Sequence, residues 1–367
     1  MLERNSEPQR VLRYGVIGVG MMGCEHIRNL QGISGCEVVA VADTFEGSLQ
    51  KAQALLPKVA IYNDYDLMIK NETLDVVIIA TPNHTHFEIL RELVKAEVHI
   101  FVEKPLCINV DECQQIIRIA KNSAVANRLI WVGLEYRFMA PTARLLNEVS
   151  EGTCGIVQMV SIREHRFPFL VKVDNWNRFS RNTGGTLVEK CCHFFDLMVL
   201  LARSAPVSVY ASGAQSVNHL DEVYNGQKSD ILDNAFVIVD FENGVRGLLD
   251  LSMFAEGSRN EQEICVVGDS AKIEALITES KLRIGRRNLG AAGVSEIEVK
   301  QSETVIKGFH AGASYIEHVK MQEAIRKNLP SLVTLEDGLL SVAIGQAAHL
   351  SIAEKRRVEM SELLGDD

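Results

Sequence analysis

The chain has 367 residues and carries 38 Lys and Arg against 48 Asp and Glu, which gives a formal net charge of −10 at neutral pH. This acidic balance argues against a nucleic-acid partner, because phosphates require a basic face, and no apolar stretch approaches the roughly 20 residues that cross a bilayer. The 8 cysteines form no CxxC pair, which indicates reduced thiols in a cytoplasmic protein and no metal site. Residues 1–11 lack the apolar segment of a signal peptide and are predicted to be a flexible tail.

A glycine-rich loop follows the first strand-like run. The run at 14–17 leads into the loop at 18–23, Gly-Val-Gly-Met-Met-Gly, and then into a helical stretch at 24–30. This order suits a dinucleotide pyrophosphate, because the glycines permit a tight turn, a close backbone approach and close packing of helix on strand. Free amide groups and the positive end of the helix dipole then face the anion. The predicted contacts in this loop are Gly18, Gly20, Met21, Met22 and Gly23.

A carboxylate ends the second strand-like run. Residues 38–42 are apolar, and Asp43 follows them, 20 residues after Gly23. At that spacing a carboxylate can accept hydrogen bonds from ribose hydroxyls, whereas it repels a ribose 2′-phosphate. No arginine stands beside Asp43 to neutralise such a phosphate, since Thr44 and Phe45 follow it. The sequence therefore predicts NAD(H) as the cofactor in preference to NADP(H).

Further strand-like runs alternate with helical stretches along the first part of the chain. They lie at 75–80, 98–102 and 129–132, and the first is apolar enough for a strand that is buried on both faces. This alternation predicts a doubly wound parallel sheet, that is, a Rossmann dinucleotide-binding domain over residues 12–134.

The tripeptide Glu103-Lys104-Pro105 ends the run at 98–102. Ligands of open α/β sheets lie beyond the carboxyl ends of the strands, so Lys104 is within reach of the reactive end of a bound cofactor. For an isolated tripeptide, a surface turn with a local Glu–Lys ion pair is the alternative interpretation.

A second segment with candidate catalytic residues follows the glycine pair at 184–185. It predicts one helix to about Leu201, on which Glu189 and His193 are neighbours one turn apart. A carboxylate beside an imidazole orients the ring and raises its basicity, and a histidine pKa of about 6.5 suits the exchange of a hydroxyl proton. The alternative is an ordinary packed helix in which His193 is satisfied in the interior.

Four motifs occur together: the glycine loop, Ala80-Thr-Pro-Asn-His-Thr-His86, Glu103-Lys104-Pro105, and the glycine pair with Glu189, His193 and Asp196. Together they resemble the Gfo/Idh/MocA family (glucose–fructose oxidoreductase, inositol dehydrogenase, rhizopine catabolism), along most of the chain. The resemblance implies that Lys104 binds and polarises the reacting oxygen and that His193 is the acid/base. It also implies that the loop at 81–86 lies along the cofactor. The contacts so implied are Thr81, Pro82, Asn83, His86 and Glu103.

The chain departs from that family at two neighbouring positions. Glu189 stands where the family usually has aspartate, and Lys190 stands where it commonly has an apolar or small residue. We expect Glu189 to be a third catalytic residue, with a role altered by its extra methylene. Lys190 is expected in solvent or in a salt bridge; if it points into the site instead, an acidic substrate is favoured.

Other candidates for a substrate site are less specific. Arg137 lies just after the sixth strand, where an ion pair that fixes the domain junction is an equally good interpretation. His310 precedes a predicted helix at 314–327 and is a weaker candidate, whereas His26 is interpreted as structural. The predicted substrate contacts are Glu135, Arg137, Trp176 and Lys190.

The second half is predicted to be an α+β domain over residues 135–367. Strand-like runs follow one another with tight turns, from 155–164 to 281–284, which indicates an open, largely antiparallel sheet. A helix at 334–355 is expected to pack back on the first domain. In the family that the chain resembles, the free face of this sheet commonly builds a homo-oligomer interface.

These features predict an NAD(H)-dependent oxidoreductase that transfers hydride between nicotinamide and a secondary alcohol of a polyol, inositol or sugar-like substrate. Two alternatives remain: an NAD-dependent glycosidase on the same scaffold, and a non-catalytic NAD- or sugar-binding regulatory protein. Net formation of NADH separates the dehydrogenase from the glycosidase. The presence of both Lys104 and His193 argues against the regulator.

Overall fold

The structure is a computed structural model that describes residues 10–125, 128–300 and 309–365, with the backbone alone at 309. Most of the predicted N-terminal tail lies outside the described residues. Within these ranges, no helix is long and apolar enough to cross a membrane. Two large sheets organise the described chain.

The first sheet contains six described strands, all parallel, in the order β3-β2-β1-β4-β5-β6. The strands are β1 (Leu12–Ile17), β2 (Cys36–Ala42), β3 (Ala60–Tyr62), β4 (Val76–Ile79), β5 (His99–Glu103) and β6 (Ile130–Gly133). The helices between them are α1 (Met21–Gln31), α2 (Glu46–Leu55), α3 (Tyr65–Asn71), α4 (His86–Leu93) and α5 (Val110–Asn122). The strand order reverses between β1 and β4, which opens a crevice for a ligand at their carboxyl ends. The predicted doubly wound parallel sheet is confirmed.

The helices of the first domain differ in whether a side chain caps their N-terminus. The side chain of Asn109 caps α5 and that of Asp64 caps α3, each by accepting a backbone amide hydrogen bond. Such caps satisfy amide groups that have no partner within the helix. α1, in contrast, begins after Gly20 without a side-chain cap. Its first amide groups therefore stay available.

The second sheet contains nine described strands in the order β16-β15-β14-β13-β7-β12-β11-β8-β17. Only the described pair β7–β12 is parallel; its other neighbouring pairs are antiparallel. The strands are β7 (Val157–His165), β8 (Pro206–Ala214), β11 (Asn234–Phe241), β12 (Arg246–Ser252), β13 (Gln262–Gly268), β14 (Ala271–Leu276), β15 (Lys281–Arg286), β16 (Val294–Glu298) and β17 (Val358–Glu359), while β9 (Val223–Tyr224) and β10 (Gln227–Lys228) form a separate ribbon. The predicted open, largely antiparallel sheet is confirmed.

Helices cover one face of this second sheet and leave the other free. The described helices of this half are α6 (Ala140–Ser150), α7 (Ser180–Thr183), α8 (Thr186–Glu189), α9 (Cys192–Ala202), α10 (Ala313–Lys327), α11 (Leu335–Glu354) and α12 (Ser361–Leu364). α6, α9 and α11 contact the second sheet, whereas α10 packs on α1 and β6. α11 packs on α9 and β8, and it also contacts α5 and β6 of the first sheet. Alternate residues of β11 are buried under these helices, and those between them point away.

The single helix predicted from the glycine pair to Leu201 is wrong. The chain forms α8, leaves the helix at Lys190 and Cys191, and begins α9 at Cys192. Lys190 lies in the interior at the break, where its side chain is bound by Glu164 of β7. The break places Glu189 and the residues of α9 on separate helices, so the one-turn spacing no longer makes them neighbours.

Candidate active site

The three glycines of the loop after β1 have separate tasks. Gly18 adopts a φ of +83°, and a Cβ there would lie 2.6 Å from the carbonyl oxygen of Ala80. A Cβ on Gly23 would lie 2.0 Å from the carbonyl oxygen of Gly18, so α1 can pack this closely only with glycine at that position. A Cβ on Gly20 would meet no described heavy atom within 4 Å. The loop is therefore closed on the protein side and open where a phosphate would approach.

The start of α1 and the end of β2 complete this cradle. The first turn of α1 has neither a capping side chain nor an acidic residue, so its amide groups and the positive helix end are available to an anion. At the end of β2, Asp43 accepts hydrogen bonds from the amides of Val19 and Phe45, each at 2.8 Å. Its carboxylate is thereby fixed beside the loop, with lone pairs left for ribose hydroxyls. These residues fit NAD, with the pyrophosphate at the loop and a ribose at Asp43.

The loop after β4 joins this cradle to the turn after β5. His86 is buried, and its ring nitrogens lie 2.9 Å from the carbonyl oxygen of Pro105 and 3.1 Å from that of Thr81. Asn83 is also buried, and its Nδ2 has no hydrogen-bond partner in the described part of the chain. An unpaired buried donor of this kind suits a ligand oxygen. His86 thus holds two loops together, whereas Asn83 has a donor to offer the cofactor.

Glu103 and Lys104 lie at the carboxyl end of β5. The Glu103 carboxylate lies 2.9 Å from Nε2 of His26 and accepts the backbone amide of Lys104 at 3.1 Å, so His26 has the structural place expected of it. Lys104 Nζ donates a hydrogen bond to the carbonyl oxygen of Glu189 at 3.2 Å. Burial disfavours the charge, but Cys192, Glu189, Glu103 and Glu135 act in the opposite direction, and the pKa of Lys104 is raised above its usual value. The side chain is therefore an ammonium ion at neutral pH.

His193 lies near the start of α9 and is only 1% exposed. Its ring stacks on that of Tyr136, with the centroids 4.0 Å apart and the planes at 6°. Nε2 lies 3.7 Å from Oε1 of Glu135, whereas Nδ1 is enclosed and has no hydrogen-bond partner among the described residues. Burial, followed by the charges of Lys104 and Lys190, holds the pKa of His193 well below its usual value of 6.5. The ring is therefore neutral at working pH and lies within the field of an ammonium ion.

The predicted pairing of Glu189 with His193 is wrong. Across residues 10–125, 128–300 and 309–365, no hydrogen bond or ion pair joins the Glu189 carboxylate to the imidazole, because the helix breaks between them. Burial raises the pKa of Glu189, and the charges that oppose this most are those of Lys104 and Lys172. Glu135 is the carboxylate beside the imidazole, and its predicted contact with substrate stays a prediction.

Arg137 and Glu135 share the turn after β6 but face different partners. Arg137 is buried, and its Nε donates to Asp196 at 2.7 Å, while its Nη2 lies 3.2 Å from a carboxylate oxygen of Asp337. The guanidinium is thus held in ion pairs, which is the structural interpretation that the sequence left open. Glu135 stays in the site, with its Oε1 3.0 Å from Nδ1 of His310.

Lys190 does not face solvent. It is 5% exposed, its Nζ donates to the hydroxyl of Tyr136 at 2.6 Å, and it lies 3.0 Å from Oε1 of Glu164. Of the two expected placements, the structure therefore has the salt bridge. Trp176 is partly buried in a turn, where its carbonyl oxygen accepts a hydrogen bond from Asn182, and its contact with substrate stays a prediction.

Two residues of the site were missed at the level of sequence. Tyr136, which supports His193, follows Glu135 directly, so its position next to a predicted contact was the available signal. Lys172 is partly buried, and its pKa is lowered by burial, while Glu189 acts on it in the opposite direction. Lys172 lies in the irregular segment between β7 and α7, where no periodic pattern marks it.

Fold and site together define a dinucleotide-binding protein with a lysine and a histidine near the crevice. Residues 12–132 match the family model described as "Oxidoreductase family, NAD-binding Rossmann fold", and residues 147–360 match "Oxidoreductase family, C-terminal alpha/beta domain". The chain therefore belongs to the Gfo/Idh/MocA family, and it is an NAD-binding oxidoreductase. The expected resemblance, cofactor and enzyme class are confirmed.

Similar proteins cover nearly the whole chain. A myo-inositol 2-dehydrogenase of Thermotoga maritima is 28% identical over 359 residues, which are 96% of this chain and 100% of the relative. An inositol 2-dehydrogenase of Rhizobium meliloti is 25% identical over 95% of this chain and 99% of its own. Among solved structures, a levoglucosan dehydrogenase in complex with NADH and levoglucosan has a TM-score of 0.84 at 20% identity, with 96% of this chain and 100% of that chain covered, and therefore supports the fold alone.

Proposed function

We propose that the protein transfers hydride between NAD and a secondary alcohol of a polyol, inositol or sugar-like substrate. The observation that carries this proposal is that Lys104, partly buried at the end of β5, lies close enough to the buried imidazole of His193 for its charge to act on that ring, near the edge of the cofactor crevice. One of these groups can hold the reacting oxygen while the other exchanges its proton.

Lys104 and His193 have different roles at the substrate hydroxyl group in this proposal. When bound, NAD supplies the acceptor for the hydride. Lys104 holds the hydroxyl oxygen through its ammonium group and stabilises the negative charge that develops there. His193 accepts the hydroxyl proton at Nε2, because Nδ1 is enclosed by protein. The resulting imidazolium is stabilised by Glu135, whose Oε1 lies 3.7 Å from that nitrogen.

The substrate class follows from the polar groups around this pair and from the relatives. Glu135 and Glu189 supply carboxylate oxygens that can accept hydrogen bonds from neighbouring hydroxyls, and Lys172 supplies a further donor. Each of these three groups interacts electrostatically with Lys104, so they lie in the neighbourhood of the same ammonium group. The two relatives named above act on inositols, which are rings of secondary alcohols. A polyol with several hydroxyls can use all of these groups at once.

The test is a panel of inositols, polyols and sugars, including acidic ones, assayed for NADH formation at alkaline pH. With the best substrate, Lys104→Met and His193→Ala should each lower kcat by about 10² to 10⁴-fold. The affinity of both variants for NADH, measured by fluorescence, should change little. Lys95→Met is a matched control, because Lys95 is exposed and bonds only to Glu92 among the described residues.

Two outcomes would change the assignment. Full activity in both variants would refute the roles of Lys104 and His193. Turnover of a glycoside with no net NADH formation would favour the NAD-dependent glycosidase instead.

We also propose that a second copy of the chain covers the free face of the second sheet. Tyr210, Ile238 and Leu248 are exposed and lie side by side on three neighbouring strands, which makes an apolar row across the sheet. Arg246 and Asp250 flank Leu248 with opposite charges, which suits a two-fold related copy of the same strand. Light scattering should give an oligomer for the wild type and a monomer for Ile238→Glu; an unchanged mass would contradict this interface.

A further inference from the structure

A buried polar cluster lies behind His193 and takes no part in the function proposed above. It consists of Lys190, Glu164 and Tyr136, each at most 5% exposed. Lys190 Nζ donates to the Tyr136 hydroxyl at 2.6 Å and lies 3.0 Å from Oε1 of Glu164. An ammonium ion in the protein interior loses its hydration, so it is stable there only with a nearby carboxylate and hydrogen-bond acceptors.

Three separate parts of the fold meet in this cluster. Tyr136 belongs to the turn after β6, and Glu164 lies on the inner face of β7. Lys190 lies in the break between α8 and α9. Gln262, the cross-strand neighbour of Glu164 on β13, also donates to the Tyr136 hydroxyl, at 3.4 Å. The phenol oxygen is thus held by two donors from different elements, which fixes the position of the far end of the ring.

Tyr136 connects this cluster to the imidazole. The phenol and imidazole rings are stacked with nearly parallel planes: the angle between the planes is 6° and the centroids lie 4.0 Å apart. The phenol therefore supports His193 in this orientation. The ammonium group of Lys190 lies 4.9 Å from the centroid of the same phenol ring. Lys190 therefore acts on His193 in two ways, through the packing of Tyr136 and through its charge.

The charge of Lys190 is present at neutral pH and opposes protonation of the imidazole. Burial lowers the pKa of Lys190 to about 8, while Glu164 acts in the opposite direction. The pKa of His193 is lowered by burial and then by Lys104 and Lys190. The charged and titratable groups that face His193 are Lys104, Lys190, His310, Glu103 and Glu135, and those that face Lys190 are Glu164, Arg166 and Lys104.

We propose that Lys190 is a positioning residue for His193: with Glu164 it anchors the phenol that supports the imidazole, and it places a positive charge close to that ring. This inference rests on the proposed function, in which neutral His193 accepts the hydroxyl proton.

The test compares three variants of the full-length protein. Lys190→Met keeps the length of the side chain and removes its charge, Lys190→Arg keeps the charge, and Lys190→Met/Glu164→Gln removes both charges so that no carboxylate is left buried alone. Thermal unfolding establishes that each variant is folded. The double variant keeps the question answerable if the single Lys190→Met variant does not fold.

Two measurements then report on the imidazole. In ¹⁵N-histidine NMR of the protein without substrate, with the His193 signal assigned from His193→Ala, loss of the Lys190 charge should raise the pKa of His193 by about 0.5 to 1 unit. The acid limb of kcat/KM should move to higher pH by the same amount, whereas Lys190→Arg should stay close to the wild type. An unmoved His193 titration in both charge-removing variants would overturn the inference, as would a loss of turnover by the same factor at every pH. An active His193→Ala variant would instead overturn the proposed function, and the NMR titration distinguishes the two failures.

Discussion

Gly20 and Gly23 lie three residues apart in the same loop, but the structure predicts opposite consequences for replacing each with alanine. A Cβ on Gly23 would lie 2.0 Å from the carbonyl oxygen of Gly18, whereas real Cβ atoms essentially never approach closer than 3.0 Å. Gly18 has little room to move away, because it is itself packed against Ala80: a Cβ on Gly18 would lie 2.6 Å from the carbonyl oxygen of Ala80. The loop and α1 must therefore move apart by about 1 Å or more.

The expected change in the free energy of unfolding for Gly23→Ala is the difference between a gain in helix propensity and a cost of overpacking. Alanine favours the helix over glycine by about 1 kcal/mol, but forced overpacking costs roughly 3 kcal/mol at the upper end of the usual range. The free energy of unfolding should therefore fall by about 2 kcal/mol, which corresponds to a fall of roughly 4–8 °C in Tm for a domain of this size.

Gly20→Ala should leave folding intact and weaken cofactor binding. Gly20 has a φ of −69°, outside the left-handed region that favours glycine, and its Cβ would meet no described heavy atom within 4 Å. The free energy of unfolding should therefore change by less than about 0.5 kcal/mol. The added methyl group, however, occupies the side from which the pyrophosphate approaches, so the Kd for NADH should rise about tenfold or more.

Calorimetric unfolding and titration with NADH measure both quantities on both variants. The reasoning would be refuted if Gly20→Ala bound NADH as tightly as the wild type, or if Gly23→Ala were as stable as Gly20→Ala.

Three further predictions concern cofactor choice and the reaction. Asp43→Ser removes the carboxylate beside the ribose position, so the ratio of kcat/KM with NADP to that with NAD should rise at least about tenfold; an unchanged ratio would show that Asp43 does not select the cofactor. Burial lowers the pKa of His193, whereas the pKa of Lys104 is raised, since Cys192 and three carboxylates oppose the effect of burial. The value of kcat/KM for alcohol oxidation should therefore fall only below about pH 6.5. A half-maximum above neutral pH would contradict a neutral base. Glu189→Gln should lower kcat by less than about tenfold, because Glu135 rather than Glu189 lies beside the imidazole; a loss as large as that of His193→Ala would place the Glu189 carboxylate at the ring.

The sequence predicted the parts of the fold in which one periodic pattern decides the structure. The buried strand at 76–79 is apolar at every position because both faces of the first sheet are covered, and its ends are recognisable from the residues around it. The alternating strand at 234–241 was predicted within the same limits as the structure has it. β16 was missed, although it pairs with β15 along its length.

The candidate site was less predictable, because long-range contacts decide where its side chains lie. The helical pattern after the glycine pair gave no sign of a break at Lys190, since the carboxylate that holds this lysine is 26 positions earlier on another element. Arg137 likewise meets Asp196 and Asp337, which local spacing cannot bring together. Motifs located Lys104 and His193, but the partners of each residue required the fold.

The break between α8 and α9 has a chemical consequence that links these observations. In a continuous helix the Glu189 carboxylate would accompany His193, and a nearby negative charge would raise the basicity of the ring. The break instead leaves the backbone carbonyl of Glu189 to accept a hydrogen bond from Lys104, and it lets Lys190 reach Glu164 and Tyr136 beneath the imidazole. The imidazole then lies within the field of two ammonium groups and stays neutral. In the proposed reaction the neutral ring takes the hydroxyl proton, and the ammonium group of Lys104 offsets the lowered basicity of His193 by stabilising the oxygen that loses this proton.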